Sequence, residues 1–476
     1  MRSLVRTVMI GAAVFAAVRA GAAVVPATGF AVRLIPTPTP AQGGVVWRGN
    51  ALLVGQGSFG AGSEYVVRLD GALATTIATG FNSLGGFDLD GTTLYTVDNC
   101  YGMDVGCTGA TTGDSLYAVA DATTRTDAVV ADASAVLPAG SIHLGQDVLA
   151  IPGAVLVSDA VGVGAGRVVK VVGTTPSNLV TGLDYLGGLA TDGTTLFVGN
   201  LDGNFVGAVK KYGLDGMAAG TLVGGLSGSY GLARDDMGNV LVTGGLTDDF
   251  SSSTLIGVAA DGHITEWAHG FGFSSDVFFD PDRGTALVLD FGVAAVTAVC
   301  RDGDGDGICD ADCSTPASVA KPTLKIGKQD TPLGDDTLAF KGAMTIPGTP
   351  DPITTGARLL VDDDAGRVVV DVTIPGGAYD KTSKTGWKAN KSATAWTFKH
   401  PVGVLGVKQV KVKRSTKTPG LVTFAVAGKH GAWAAADATL PVHAMLRLTP
   451  AGQCGLATFP GPSPACGFDG KTLVCK

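Results

Sequence analysis

Glutamate is nearly missing from this chain: there are two, Glu64 and Glu266, against 40 aspartates in 476 residues. Lysine is scarce over most of its length, with only Lys170, Lys210 and Lys211 in the first 299 positions. Glutamate and lysine support exposed helix faces, whereas aspartate and glycine favour turns. Their imbalance argues against a helical protein. Charged side chains make up only 16% of the chain and hydrophobic ones 45%, which excludes a disordered, highly charged polymer. Beyond the N-terminus no uninterrupted apolar run reaches the roughly 18 residues expected of a membrane-crossing helix. No G-x-S-x-G elbow occurs, so the α/β-hydrolase type of nucleophile is absent. Glycine is what abounds, at 71 residues without a collagen period, and the composition reads as all-β.

The first 22 residues have the layout of a secretory signal peptide. Arg2 and Arg6 precede an apolar stretch from Val8 to Val18, and Ala20-Gly21-Ala22 supplies a small-residue cleavage site. Export implies a periplasmic, cell-surface or secreted protein, no transmembrane anchor in the mature chain, and disulfide bonds. Charge then divides the remainder. Residues 23–299 carry 10 basic and 26 acidic side chains, residues 300–319 one Arg and five Asp, and residues 320–476 20 basic and 11 acidic. The expected domains are therefore 23–299, a linker at 300–319, and 320–476.

The first of these regions repeats itself. The apolar runs ALLVGQG, TLYTVDN, AVLVSDA, TLFVGNL, NVLVTGG and ALVLDFG place Gln56, Asp98, Asp159, Asn200, Gly244 and Asp290 at one equivalent position. The spacings are 42, 61, 41, 44 and 46 residues, the length of a four-stranded propeller blade. Six units predict a six-bladed β-propeller. The long interval holds the insertion CYGMDVGCTGATTGD, closed by Cys100 and Cys107. Phrases such as GGFDLDGTTLYTV and GGLATDGTTLFVG resemble NHL-type and gluconolactonase-like (SGL) propeller repeats over roughly residues 40–298. The resemblance implies a divalent metal on the propeller axis, held by Glu, Asn and Asp from loops before the inner strands. The corresponding places here are Gly85, Gly187, Tyr230 and Ser275, which are poor ligands. Asp184 and Asp276 lie close by.

Residues 320–476 contain about eight short strands, among them RVVVDVTI, VKQVKVKR and LVTFAVAG. The alternation in Val410-Lys411-Val412-Lys413 puts valine on one face and lysine on the other. A β-sandwich follows.

The densest local motif is Asp302-Gly-Asp304-Gly-Asp306-Gly307, continued by Asp310 and Asp312. Aspartates at alternate positions followed by a turn glycine suit calcium, which needs converging oxygens. The stretch resembles a thrombospondin type 3 calcium repeat, with Cys313 where an acid is usual. Structural calcium held by Asp302, Asp304, Asp306, Asp310 and Asp312 is the expectation, against an acidic solvated linker.

Other signals are weaker. Gly55-Gln56-Gly57-Ser58-Phe59-Gly60 matches G-x-G-x-x-G but opens no helix. His143, His263 and His269 have no metal-like partners at close spacing. No catalytic residue is assigned. Phe81, Tyr185, Tyr230, Phe271 and Phe273 stand near the loops before inner strands, and with Asp184 and Asp276 they suggest a mouth that binds a carbohydrate or a protein. The basic third region with its alternating lysines reads as sheet surface rather than nucleic-acid binding. Binding is favoured over catalysis; the competing reading is a metal-dependent hydrolase of a small lactone or ester. The cysteines fall into three groups: Cys100 and Cys107; Cys300, Cys309 and Cys313; Cys454, Cys466 and Cys475. With the first pair closed locally, two odd groups remain. Full oxidation then requires a bridge between the linker and the C-terminus.

Overall fold

The computed structural model describes residues 24–101, 107–248, 252–449, 453–462 and 465–476. The segment read as a signal peptide lies outside them. The chain forms two compact units.

The first unit is a six-bladed β-propeller. Its six sheets begin with the strands Ala41–Arg48, Leu84–Asp90, Gly145–Ile151, Tyr185–Thr191, Leu232–Arg234 and Ser274–Asp280. Each of these packs on the first strand of the next sheet, and the sixth returns to the first, so the ring closes. The repeated apolar runs are the second strands. Ala51–Gly57 and Thr285–Asp290 are buried almost end to end. A middle strand in a blade covered on both faces has no solvent side, so it reads as a continuous apolar run rather than an alternating one. The fourth strand of the last sheet is Phe30–Pro36, far away in the sequence and without the repeat phrase.

Crowding at the ring's centre requires glycine at several positions. A Cβ on Gly85 would come within 2.9 Å of the Gln146 carbonyl oxygen, and one on Gly231 within 2.8 Å of the Val277 nitrogen. Any larger residue there would push adjoining blades apart. Most inner strands also shift register near their start, as between Leu84 and Phe87 and between Ser274 and Asp276. These bulges re-aim side chains at the axis.

The second unit is a β-sandwich. A five-stranded sheet contains Ala357–Asp363, Val368–Ile374, Val442–Thr449 and Gln453–Phe459. An eight-stranded sheet contains Asp336–Thr345, Ala395–Val404, Val407–Arg414 and Leu421–Gly431. Both contribute to one core, with Leu359, Val372 and Phe459 from the first and Phe340, Phe398 and Val412 from the second. The Asp-rich stretch expected as a linker belongs to this unit, together with Arg33–Pro36 and Asp70–Ala74. Cys313 bonds Cys454 and Cys466 bonds Cys475, while Cys100 bonds Cys107 in the propeller. Cys300 and Cys309 are disulfide-bonded as well. Among the described residues no helix is long and apolar enough to cross a membrane.

Candidate binding site at the propeller mouth

The polar position shared by the six repeats turns out to be structural. In four blades it lies at or next to the end of the second strand, where its oxygens accept amides of the loop entering the first strand of the same blade. Gln56 instead donates from Nε2 to Thr39 O at 3.2 Å, and its Oε1 has no partner among the described residues. Asp98 Oδ1 accepts from Asn82 N at 2.9 Å and Ser83 N at 2.7 Å. Asp159 Oδ1 accepts from His143 N at 3.0 Å and Leu144 N at 2.9 Å. Asp290 accepts from Gly272 N and Phe273 N, and Asn200 from Asp184 N. Gly244 has no side chain to offer, and Thr243 Oγ1 takes the Gly231 amide instead. A short acceptor that satisfies two loop amides is a turn device, so Asp or Asn recurs there without any chemistry.

Those loops surround a cavity of about 130 Å³ at the end of the axis where the inner strands begin. Its walls are Gly85, Gly145 and Ser275 from inner strands and Phe59, Phe273 and Phe291 from loops. Besides Ser83 and Ser275, three polar residues from three different blades line it: Glu64, Asn99 and Gln146. Glu64 opens a third strand and is 2% exposed. Burial pushes its carboxyl well above the usual range, and the nearby Asp98 charge adds to this. The Leu84 amide, donating to Oε2 at 2.6 Å, acts the other way. Burial thus favours the uncharged form of Glu64. Asn99 is 7% exposed. Its Nδ2 donates to Gly145 O at 2.9 Å and Ser83 O at 3.3 Å, whereas its Oδ1 has no partner. An unpaired amide oxygen in one cavity with a protonated carboxyl can accept from a ligand to which the acid donates.

A second cavity of about 150 Å³ is lined by Asp88, Asp147 and Asp276. Each carboxylate crosses to another blade. Asp88 Oδ2 accepts from Ala150 N at 2.7 Å, Asp147 Oδ2 from Leu189 N at 2.7 Å, and Asp276 Oδ2 from Val45 N at 2.9 Å. Their second oxygens accept the following amide of their own strand. Burial raises all three, Asp88 to about 6 and Asp276 to about 7. Both oxygens of each acid thus hold backbone amides, which makes the three acids braces around the ring.

The expected site residues are therefore scattered. Asp276 is an axial brace. Asp184 Oδ1 accepts the Gly164 amide at 2.7 Å. Tyr185 is buried and stacks on Phe205 at 5.4 Å. Phe273 lines the mouth cavity as expected, and Tyr230 approaches it through Phe273 at 5.1 Å between ring centroids. Phe81 and Phe271 are fully buried core. Among the places implied by the family resemblance, Gly85 and Ser275 line the cavity but carry no ligand group beyond a hydroxyl. Nothing in the spacing of the sequence singles out Glu64, Asn99 and Gln146. The rarity of glutamate is the one signal that flags Glu64.

In the second unit the carboxylate oxygens of Asp302, Asp304 and Asp306 lie within 4.8 Å of one another, the one such group among the described residues. Asp302 already accepts the amides of Gly305, Asp306 and Gly307. Asp310 and Asp312 are employed elsewhere. Asp310 accepts the Gly303 amide at 3.0 Å. Asp312 is buried between Arg33, whose Nη1 is 3.0 Å away, and Arg358. Two guanidiniums already neutralise Asp312, so it is not available to a cation.

No family model and no curated protein matches the chain. Several solved structures are similar to it. A gluconolactonase of Xanthomonas campestris is 14% identical with a TM-score of 0.34, covering 59% of this chain and 98% of that one. A regucalcin of Agrobacterium tumefaciens, described as calcium-binding, is 15% identical with a TM-score of 0.41, covering 57% and 94%. The WD40 propeller domain of Doa1 is 11% identical with a TM-score of 0.37, covering 57% and 97%.

Proposed function

We propose that the mouth cavity is the working site of an exported β-propeller and that it binds a small hydrogen-bonding ligand, such as a carbohydrate or a side chain of a partner protein. The observation that carries this reading is that the buried Glu64 and the unpaired Asn99 Oδ1 belong to residues lining one cavity. Burying a carboxyl and leaving an amide oxygen unpaired both cost stability. A ligand hydroxyl donating to Asn99 Oδ1 and accepting from Glu64 would satisfy both, with the phenylalanines against its apolar face.

A second reading has its own support, because one carboxyl and two amides (Glu64, Asn99, Gln146) face the same cavity. Hard divalent cations take such oxygen sets. In that reading the chain is a hydrolase of a small lactone or ester, and the bound cation supplies Lewis-acid polarisation of the carbonyl. Glu64, then ionised, holds the ion, while Asn99 orients the substrate through its unpaired oxygen.

One experiment separates the two. Thermal shift and turnover are measured with a sugar lactone and its open acid, with and without Ca²⁺ or Mn²⁺, for the natural chain and Glu64→Gln. Binding alone predicts a ligand-dependent thermal shift without turnover, about tenfold weaker in the variant, because a weaker amide N–H replaces the carboxyl O–H donor. The hydrolase predicts metal-dependent turnover that the variant loses. Loss of neither in Glu64→Gln would reject the mouth as the site.

We also propose a structural calcium ion at Asp302, Asp304 and Asp306, in line with the thrombospondin-like spacing. Burial, reinforced by its two neighbours, raises the Asp306 carboxyl, and a cation would relieve that repulsion. Millimolar Ca²⁺ should slow proteolysis of residues 300–310 severalfold, and Asp304→Asn with Asp306→Asn should abolish the protection. Equal cleavage in calcium and in chelator would contradict the proposal.

A further inference from the structure

The outer face of the eight-stranded sheet carries seven lysines and no acid. Trp387, Trp396, Phe398, Val410, Val412, Phe424, Val426 and Phe340 point into the core. The alternate residues point out, and Lys388, Lys399, Lys411, Lys413, Lys429, Lys341 and Lys325 are all exposed. The six strands that bear them contain one acidic residue, Asp336, which is buried. Two lysine ion pairs occur among the described residues, at Lys328 and Lys471, and both lie outside these strands.

Strand register arranges the charges. Lys388 pairs with Thr397, Thr397 with Lys411, Lys411 with Ala425, Ala425 with Lys341, and Lys341 with Thr323. One row across six strands thus reads Lys, Thr, Lys, Ala, Lys, Thr. Neighbouring strands are about 4.8 Å apart, so lysines on alternate strands stand roughly 10 Å apart with short side chains between them. The next row adds Lys399 and Lys325 at its two sides, with Gln409, Ala427 and Ala339 between them.

Lysine at a sheet edge is explained by the need to block pairing. That account does not reach Lys411, Lys413, Lys429 and Lys341, which sit on interior strands already paired on both sides. Seven like charges on one face repel one another, and an anionic partner removes the cost.

We propose that this face docks a linear anionic polysaccharide, laid across the strands along the Lys388–Lys411–Lys341 row. The small residues between the lysines leave a shallow track for a chain, and Thr397, Thr323 and Gln409 offer hydrogen bonds to hydroxyls and carboxylates. Nucleic acid fits less well, because no Phe, Tyr or Trp ring on these strands faces outward and only the His430 imidazole, at one strand end, is exposed for base stacking. A bilayer fits less well because the track carries no apolar side chain larger than alanine to enter it.

The test uses the full chain and polygalacturonate, with neutral dextran, single-stranded DNA and phosphatidylglycerol vesicles as comparison probes at equal salt. Lys388→Gln, Lys411→Gln and Lys341→Gln together should weaken polygalacturonate binding by at least about tenfold and reduce its salt dependence. Lys170→Gln, Lys210→Gln and Lys211→Gln on the propeller remove the same charge and should change it less than about twofold. Thermal midpoints confirm folding, and Lys411→Gln alone serves if the triple variant does not fold. Absence of binding, equal loss in the two triples, or tighter binding of DNA or vesicles than of polygalacturonate would overturn the proposal.

Discussion

Replacing Cys313 and Cys454 together by alanine should lower the unfolding free energy of the sandwich by about 5 kcal/mol, the chain-entropy value for a loop of this size. The bond spans 141 residues of the unit, and the two sulfurs sit in a small buried cluster with Ile308, Leu360 and Met445. It ties the Asp-rich stretch to a strand of the five-stranded sheet. It is also the bridge that odd cysteine counts demand, joining the middle group to the last. Denaturant unfolding of the variant beside the natural chain measures the effect. A loss under about 1 kcal/mol would show that the ion pairs of Asp312 hold this segment without the bond.

Propeller stability should fall as pH rises from about 4 to 8. Asp88 is raised to about 6 and Asp98 and Asp276 to about 7, each chiefly by burial. In the unfolded chain an aspartate loses its proton near pH 4. Between that pH and about 7 the native state therefore holds more protons than the unfolded state, and stability decreases with pH across this window. The contribution is fully present below about pH 4 and gone above the folded values. For each acid, every pH unit between its unfolded and folded values contributes about 1.4 kcal/mol, so several kcal/mol separate the two ends. Asp276→Asn should flatten the profile while lowering stability at pH 5, because an amide nitrogen cannot accept one of the two backbone N–H groups that Asp276 accepts. Thermal unfolding from pH 5 to 8 checks both statements. A propeller that gains stability over that range would mean the axial acids are ionised in the folded protein.

Much of the architecture can be read from the sequence for a plain reason. The second strand of each blade is covered on both sides, so its apolar run survives as a repeat even where the rest of the blade has diverged. The sandwich strands show themselves by the alternation of valine and lysine. What cannot be read is anything made by distant closure. Phe30–Pro36 completes the sixth sheet without bearing the repeat phrase. Asp312 has the spacing of a calcium ligand, but Arg33, 279 positions away, occupies it instead. The mouth cavity is the clearest case. Glu64 comes from a third strand, Asn99 from the start of an insertion, and Gln146 from an inner strand, and only the ring brings them together. The resemblance to lactonase-type propellers directs attention to loops before inner strands, where this chain places glycine, serine and tyrosine.

The scarcity of glutamate makes the protonation of Glu64, on which the mouth site rests, directly measurable. With ¹³C-labelled glutamate the protein gives only two side-chain carboxyl resonances, from Glu64 and Glu266, and Glu64→Gln assigns them. At pH 5 the Glu64 signal should still have the shift of a protonated acid, because burial raises its carboxyl, and it should move when a ligand enters the mouth while the Glu266 signal stays in place. A Glu64 signal already at the carboxylate position at pH 5, indifferent to every ligand that the protein binds, would contradict a binding mouth built around a neutral acid.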